Sequence, residues 1–198
     1  MSCDIHLTSG DWVDLGLPSG LLWATRNVGA NTPTDYGNYY AWGETSPKSV
    51  YDWSTYRYIK FDCNEKTKYN FSDGLTCLQP GDDAATANYG GRTPTKEEWL
   101  ELYNNTTSRW VNINGVNGWG FTGANGNGLF LPAAGRRWHT PLEYLGGQGF
   151  YWSSSLHTSQ RNFAWDCYFN SDFVNVNSWG YLCRCAGFSV RAVRYSSI

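Results

Sequence analysis

Glycine divides this chain into short segments and so limits the kind of fold it can form. Twenty-two glycines, with asparagines spread among them, interrupt the apolar stretches after a few residues. Glycine weakens the interiors of helices and strands and is favoured in turns. Apolar stretches this short cannot cross a bilayer. We therefore expect a single domain over residues 1–198, built from short elements and long ordered loops, with no membrane insertion.

One segment carries a clear helix signal. Thr95 and Glu98 have the spacing of a capping box, in which each side chain bonds the backbone amide of the other residue. Trp99, Leu102 and Tyr103 follow at helical spacing and share one face. The pattern predicts a helix from this cap, with these three side chains in the core.

The other elements are predicted to be one further helix and several short strands. The helix is expected between Asp82 and Tyr89, ahead of a Gly-Gly stop. The predicted strands are 12–15, 21–24, 128–132, 150–155 and 187–194. In the last strand the alternation predicts Phe188, Val190 and Ala192 on one face and Ser189 and Arg191 on the other. Two helices with short antiparallel sheets indicate an α+β domain.

Residues 163–177 carry the clearest alternation in the sequence. The positions predicted to face the core are Trp165, Cys167, Phe169, Val174 and Val176. The positions predicted to face outward are Phe163, Asp166, Tyr168, Phe173, Asn175 and Asn177. A shift of one residue would bury Asp166 and expose Trp165, so the period of two fixes this division.

The outward set has an unusual composition for a solvent face. It offers Phe, Tyr, Asp and Asn where Lys, Glu, Thr and Ser are expected, and residues 178–186 then follow no regular period. Rigid aromatics mixed with Ser, Asn, Gly and Arg are typical of binding surfaces. For any single aromatic residue, packing beneath a neighbouring loop is the alternative. Taken together, the outward residues of 163–177 and the tract 178–186 predict a ligand-binding surface within residues 157–186.

Several motifs are shared with a known group of proteins. They include Tyr-Trp-Ser-Ser-Ser at 151–155, Phe-Asn-Ser-Asp at 169–172, Gly-Phe-Ser-Val-Arg-Ala-Val-Arg at 187–194, Arg-Thr-Pro-Thr-Lys-Glu-Glu-Trp at 92–99 and Leu-Phe-Leu-Pro-Ala-Ala-Gly at 129–135. With these motifs the chain resembles the variable proteins of diversity-generating retroelements. It is similar in particular to the major-paralogous-domain proteins of Bacteroides-type bacteria and their phages. The resemblance covers nearly the whole chain.

The resemblance implies a C-type lectin fold in its formylglycine-generating-enzyme-like form. In that fold the two termini pair in one sheet, and a second small sheet displays the variable residues. It also implies that error-prone copying of template adenines diversifies a segment, here 153–194. The variable ligand-binding positions that the resemblance implies are His157, Arg161, Phe163, Asp166, Tyr168, Phe173, Ser178, Trp179, Tyr181, Leu182, Cys183, Arg184, Cys185 and Ala186. Except for Trp179, these residues can be reached from Asn codons by such errors.

The implied function is a non-catalytic receptor-binding or adhesion protein, on a cell surface or phage tail, that recognises a protein or a glycan. Trimerisation would suit a tail adhesin. Two alternatives remain: an accessory domain with a fixed partner, and a carbohydrate-binding surface lectin.

Other chemistry has weak support in the sequence. The net charge of −2, without a run of Lys or Arg, argues against nucleic-acid binding. Calcium-dependent lectins carry Glu-Pro-Asn and Trp-Asn-Asp triplets, which this chain lacks. A zinc site from His157, Cys167, Cys183 and Cys185 has suitable ligand types but no Cys-x-x-Cys spacing. We therefore expect no cofactor, no metal and no catalysis, although formylglycine-generating enzymes use a reactive cysteine pair.

The six cysteines show no regular disulfide framework. Cys183 and Cys185 are predicted to lie too close in sequence for an ordinary bridge to each other. We expect Cys63 and Cys77 to be free thiols, and a bridge between them is the alternative. The first residues lack a secretion signal, and Cys3 would suit a lipoprotein anchor.

Overall fold

The fold is described by a computed structural model that covers residues 5–178 and 182–196. The described α-helices are α1 (Ala84–Asn88) and α2 (Lys96–Asn104), and 3-10 turns occupy Trp53–Thr55 and Pro80–Asp82. The described strands are β1 (Trp12–Asp14), β2 (Leu21–Asn27), β3 (Thr106–Ile113), β4 (Val116–Gly123), β5 (Gly128–Pro132), β6 (Arg136–Arg137), β7 (Leu142–Glu143), β8 (Gly149–Leu156), β9 (Ala164–Phe169), β10 (Val174–Ser178) and β11 (Arg191–Tyr195). No helix in these residues is long and apolar enough to span a membrane.

The strands form short antiparallel sheets, as the sequence predicts for an α+β domain. In the first sheet, β2 lies between β1 and β11, so the first and last described strands flank the same neighbour. In another sheet, β9 lies between β8 and β10. A third sheet has the order β3-β4-β5, and β6 pairs with β7 in a small ribbon. Segments distant in sequence are therefore brought together at one sheet.

Helix α2 begins at the predicted capping box. The Thr95 hydroxyl accepts the Glu98 amide at 3.2 Å, and the Glu98 carboxylate accepts the Thr95 amide at 2.8 Å. Trp99 and Leu102 are buried as predicted. Tyr103 is 41% exposed, so its predicted core position is wrong. The helix is only nine residues long and buries a narrow stripe, which leaves Tyr103 at its edge.

The second predicted helix is shorter than expected. Asp83 caps α1 by accepting the Ala85 amide at 2.9 Å, and Asp82 belongs to the preceding 3-10 turn. The Asp82 carboxylate instead accepts the hydroxyls of Tyr58 and Tyr69 at 2.5 and 2.6 Å. The Asp82 side chain thus anchors a buried tyrosine pair and plays no part in helix capping.

The sheet formed by β8, β9 and β10 is covered on both faces, and this overturns part of the predicted division. Cys167 and Phe169 lie in a core cluster on one side, as predicted. On the other side Tyr168 packs against Phe150 at 5.0 Å between ring centroids. Asp166 and Tyr168 are therefore buried, at 2% and 6% exposure, and their predicted outward position is wrong. Alternation separates the two faces of a strand, but whether a face meets solvent depends on what packs over it.

Trp165, predicted to lie in the core, is only half-buried. Val174 is half-buried and Val176 is buried, whereas Phe173, Asn175 and Asn177 are exposed. The prediction for β10 therefore agrees with the structure at these outward positions, because β10 is an edge strand.

The C-terminal strand is also buried on both faces. Ser189 and Arg191, which form the polar face of the predicted alternation, are fully buried. Arg191 lies between the first sheet and β5, where it donates to Ala24 O and Phe130 O at 3.0 and 2.9 Å. Regular pairing of β11 begins only at Arg191, and residues 187–189 form isolated bridges before it. The buried guanidinium group of Arg191 is tolerated because the neighbouring sheets supply hydrogen-bond acceptors. Ser189 Oγ, in contrast, has no hydrogen-bond partner among the described residues.

Candidate functional site

The predicted binding residues separate into accessible and buried groups. Phe173 is exposed, and the half-buried members are His157, Phe163 and Leu182. The buried members are Arg161, Asp166, Tyr168, Ser178, Cys183, Arg184, Cys185 and Ala186. Trp179 and Tyr181 lie outside the described residues. The accessible surface predicted for this segment is therefore wrong at most of its described positions, because the segment closes the core.

Arg184 shows most clearly why part of this segment is structural. Its guanidinium group is fully buried and donates to the backbone oxygens of Lys68 and Tyr69 at 3.0 and 3.1 Å. Its backbone amide donates to Asn162 O at 2.8 Å, and its backbone oxygen accepts the Trp42 amide at 2.8 Å. One residue thus joins three distant loops, which corrects its prediction as an outward ligand contact.

Cys183 and Cys185 are joined in a disulfide, contrary to the sequence prediction. A turn at 184–185 brings their Cα atoms to 5.4 Å, within the usual range for a bridge. Both side chains are buried, and so is the neighbouring Ala186. Cys63, Cys77 and Cys167 are free, which agrees with the preference for free thiols at Cys63 and Cys77. Cys3 lies outside the described residues.

Residues 157–163, which connect β8 to β9, form a compact loop that we call the recognition loop. The loop is closed by a hydrogen bond from the His157 amide to Phe163 O at 3.2 Å. The Gln160 amide donates to His157 Nδ1 at 3.0 Å, and the Phe163 amide donates to Gln160 O at 2.9 Å. Arg161 Nη1 donates to Leu75 O at 2.9 Å and ties the loop to the scaffold. The backbone of the loop is thereby fixed while His157 and Phe163 remain partly accessible.

A depression on one side of the recognition loop, the Arg161 pocket, has a volume of about 260 Å³. Its described lining is Asn64, Lys66, Phe71, Ser159, Gln160, Arg161, Asn162 and Phe163. Phe71 is 74% exposed, and its ring lies 5.0 Å from the Arg161 guanidinium carbon. The pocket thus combines aromatic rings, amides and two cationic side chains.

A second depression, the Trp165 groove, is also lined by residues of the loop and has a volume of about 410 Å³. Its described lining is Thr76, Cys77, Thr95, Lys96, Glu97, Ser155, Leu156, His157, Thr158, Ser159 and Trp165. The His157 ring stacks on Trp165 at 5.0 Å between centroids, and Lys96 Nζ lies 4.5 Å from a Trp165 ring centroid. Ser159 lines both depressions, so they form one continuous surface.

The surroundings of this surface disfavour the charged forms of His157 and Lys66. Partial burial lowers the pKa of His157, and the charge of Lys96 acts in the same direction. Burial also lowers the pKa of Lys66, and the charge of Arg184 adds to that effect. The His157 ring therefore presents an uncharged aromatic face at neutral pH, whereas positive charge gathers around the Arg161 pocket.

Sequence reasoning missed the half of the surface that comes from outside the C-terminal segment. Lys66 and Phe71 belong to a loop with no regular period, and Lys96 belongs to the first turn of α2. Phe71 is flanked by Asn, Ser and Asp, so an exposed aromatic in a polar loop was the available signal. Nothing in the sequence places that loop beside residues 157–163.

No three His, Cys, Asp or Glu side chains of residues 5–178 and 182–196 come together in a way that would hold a metal ion. The proposed zinc ligands include Cys183 and Cys185, whose sulfurs are joined to each other. Comparisons of the chain with family models, with curated proteins and with solved structures found no match.

Proposed function

We propose that this protein is a non-catalytic ligand-binding protein with a receptor-binding or adhesion role. Its binding surface is the recognition loop with the Arg161 pocket and the Trp165 groove. The observation that carries this proposal is the hydrogen-bonded backbone of residues 157–163, which holds the partly accessible His157 and Phe163 between two depressions. A loop that is already ordered loses little conformational entropy on binding, so its aromatic side chains contribute more to affinity.

The fold proposed for this function is the C-type lectin fold in its formylglycine-generating-enzyme-like form. One support is the first sheet, in which β1 and β11 flank β2 and bring distant parts of the chain together. Another is the small sheet of β8, β9 and β10, which carries the recognition loop at the β8–β9 connection. The motifs that resemble those of retroelement variable proteins lie on or next to β5, β8, β9 and β11 and at the start of α2.

Diversification by a retroelement is proposed only for the accessible positions. His157, Phe163 and Phe173 can change without emptying the core. Leu182 is half-buried and packs against the core, so fewer side chains are expected to fit there. Replacement of a buried side chain usually destabilises a protein by a few kcal/mol, so free variation at positions such as Tyr168 would yield many unfolded products. The gene sequence tests this idea. Across sister isolates, differences should concentrate at the accessible positions, in codons that end in C or T, whereas scatter along the whole chain would contradict it.

An accessory domain with a fixed partner is the second candidate. The buried Arg184, which joins three loops, favours it because this position behaves as part of a constant scaffold. Both candidates use the same fold, and they differ in whether accessible side chains of the recognition loop select the ligand.

A glycan and protein array with matched variants separates the two candidates. The test protein is the double variant His157→Ala/Phe163→Ala, and the control is Tyr103→Ala, an exposed aromatic on α2. We expect a ligand that binds the wild type and the control but loses at least about tenfold in affinity with the double variant, or about 1.4 kcal/mol. Failure to find any ligand that depends on the loop would reject the proposed function.

A further inference from the structure

The Arg161 side chain has an unused hydrogen-bonding group in the wall of the Arg161 pocket. It is about nine-tenths buried, with 9% exposure. Nη1 donates to Leu75 O, but Nε has no hydrogen-bond partner among the described residues. A buried donor left unpaired destabilises the folded state, because it has lost its hydrogen bonds to water. Such a group is therefore expected to serve something that the folded chain itself does not supply.

The next residue leaves an acceptor unused in the same pocket. Asn162 Oδ1 is buried and has no hydrogen-bond partner within the described part of the chain. Arg161 offers only donors, and the Asn162 side-chain oxygen only accepts. A complementary ligand must therefore present an acceptor and, close to it, a hydrogen-bond donor.

The charge around the pocket favours an anionic acceptor. The described lining holds the cations Lys66 and Arg161 and no carboxylate. Two nearby carboxylates offset part of this charge. Asp73 Oδ1 lies 4.0 Å from Arg161 Nη1, and Asp62 accepts the Asn64 amide at 2.7 Å. Asp73 also accepts the amides of Asn70 and Leu75, which already engage both of its oxygens. The lining itself remains positive.

The shape of the pocket and its neighbour favour a sugar. A volume of about 260 Å³ is just below the usual range of ligand sites, about 300–1,000 Å³, and suits one sugar ring. Ser159 leads from the pocket into the Trp165 groove, whose described lining includes the hydroxyls of Thr76, Ser155 and Thr158. Hydroxyl groups both donate and accept, as sugar hydroxyls do.

We propose, on the basis of the proposed function, that the Arg161 pocket binds the terminal acidic sugar of a saccharide. The sugar carboxylate pairs with Arg161 and Lys66, and a neighbouring sugar hydroxyl donates to Asn162 Oδ1. The following sugars lie toward the Trp165 groove. Arginine suits this role because its planar guanidinium group matches the geometry of a carboxylate.

The experiment titrates methyl glycosides of glucuronic, galacturonic and N-acetylneuraminic acid into the folded protein, with the methyl ester of each acid as a neutral control. We expect at least one acid to bind with a dissociation constant of about 1 mM or tighter. Its ester should bind at least about tenfold more weakly. Equal binding of acid and ester, or binding of none of the three acids, would overturn the inference.

Variants locate the binding in the pocket. Lys66→Met removes a charge from the lining, and Asn162→Ala removes the unused acceptor. Each should weaken binding of the acid at least about fivefold, while Arg194→Met, on exposed β11 surface, should not. Circular dichroism and thermal unfolding establish that each variant is folded. If the folded pocket variants bind as the wild type does, the acid binds elsewhere and the inference is wrong.

A peptide arm separates this inference from the proposed function. An Asp- and Glu-rich peptide that binds in a Lys66-dependent manner, with no response to the acids, would reject the saccharide and leave a loop-based binding protein in place. A neutral ligand on the array that depends on the recognition loop, with no response to the acids, would likewise reject the acidic saccharide and leave the proposed function in place. Absence of any loop-dependent ligand on the array would instead reject the proposed function.

Discussion

The Asp166 carboxyl group on β9 lies across the strand pair from Ser178 on β10, and both side chains are buried. Asp166 Oδ1 and Ser178 Oγ have no hydrogen-bond partner in the described part of the chain. Burial raises the pKa of Asp166 to about 7, and the neighbouring Ser178 hydroxyl and the charge of Arg136 oppose this rise only in part. The folded protein therefore holds a carboxyl group that stays protonated through most of the acidic range.

This group should make the protein less stable as the pH rises. In the unfolded chain Asp166 titrates near its ordinary pKa of 3.8, whereas in the fold it titrates near 7. Between about pH 4 and pH 7 the folded state keeps a proton that the unfolded state releases, so stability falls through this window and levels off above it. The full effect is at most about 4 kcal/mol.

The variant Asp166→Asn isolates this contribution. Its free energy of unfolding in urea should equal that of the wild type within about 1 kcal/mol near pH 4 and exceed it by about 2 kcal/mol or more at pH 8. The difference between the two proteins matters, because other carboxylates such as Asp82, whose pKa is lowered, change stability in the opposite direction. Parallel pH profiles for the two proteins would contradict the prediction.

Arg191 should be essential to the junction between two sheets. It donates to Asn27 Oδ1 from Nε and Nη2 at 3.0 and 2.6 Å, and to Ala24 O and Phe130 O. Arg191→Met leaves these buried acceptors unpaired and should cost about 3 kcal/mol or more in urea unfolding. The control Arg194→Met, on the same strand but exposed, should cost about 1 kcal/mol or less. Similar losses for both variants would argue against this role.

Tolerance of substitution should differ between two aromatic residues in contact. Phe173 is 44% exposed, and its ring lies 5.7 Å from that of the buried Tyr168. Phe173→Ser should lower the free energy of unfolding by about 1 kcal/mol, because one aromatic contact is lost. Tyr168→Ser should lower it by about 3 kcal/mol or more, because it leaves a cavity beside Phe150. Equal losses of unfolding free energy for Phe173→Ser and Tyr168→Ser would show that exposed positions do not tolerate substitution better than buried ones.

The cysteines should differ in their reaction with iodoacetamide, read by peptide mass spectrometry. Without reductant, Cys63 and Cys77 should be alkylated in the folded protein. Cys167 serves as the control for burial, since it is a free thiol whose pKa burial raises, and it should react only after denaturation. Cys183 and Cys185 should react only after denaturation and reduction. Alkylation of this pair without reductant would show that it is not bonded.

Local sequence signals predicted the elements whose partners lie nearby. The Thr95–Glu98 box positions α2 because a cap is satisfied within a few residues. The hairpin of β3 and β4 was not predicted, although Asn114 and Gly115 form its turn with φ angles of 52° and 86°. An Asn-Gly pair between strands is a strong hairpin signal, so this omission was avoidable.

The candidate site was predicted in part. His157 and Arg161 were predicted as binding residues through the family resemblance and Phe163 through the alternation, and the structure leaves His157 and Phe163 partly accessible. The sequence could not reveal Lys66 or Phe71, because they meet Arg161 only through a loop distant in sequence. Arg184 was wrongly predicted to be a surface residue. No local sequence pattern shows that the backbone oxygens of Lys68 and Tyr69 accept hydrogen bonds from its buried guanidinium group.

The amino-acid sequence by itself determined which residues of β9 share a face, because successive side chains of a strand point to opposite sides. Only the tertiary structure decided that both faces are covered, one by the cluster around Trp99 and the other by Phe188, which packs on Phe150 and Trp152 of β8. A period of two is a property of the backbone, whereas burial is a property of everything that packs against it. For that reason the Asp166 carboxyl group is buried although it was predicted to face outward, and the accessible side chains lie in the recognition loop that precedes β9.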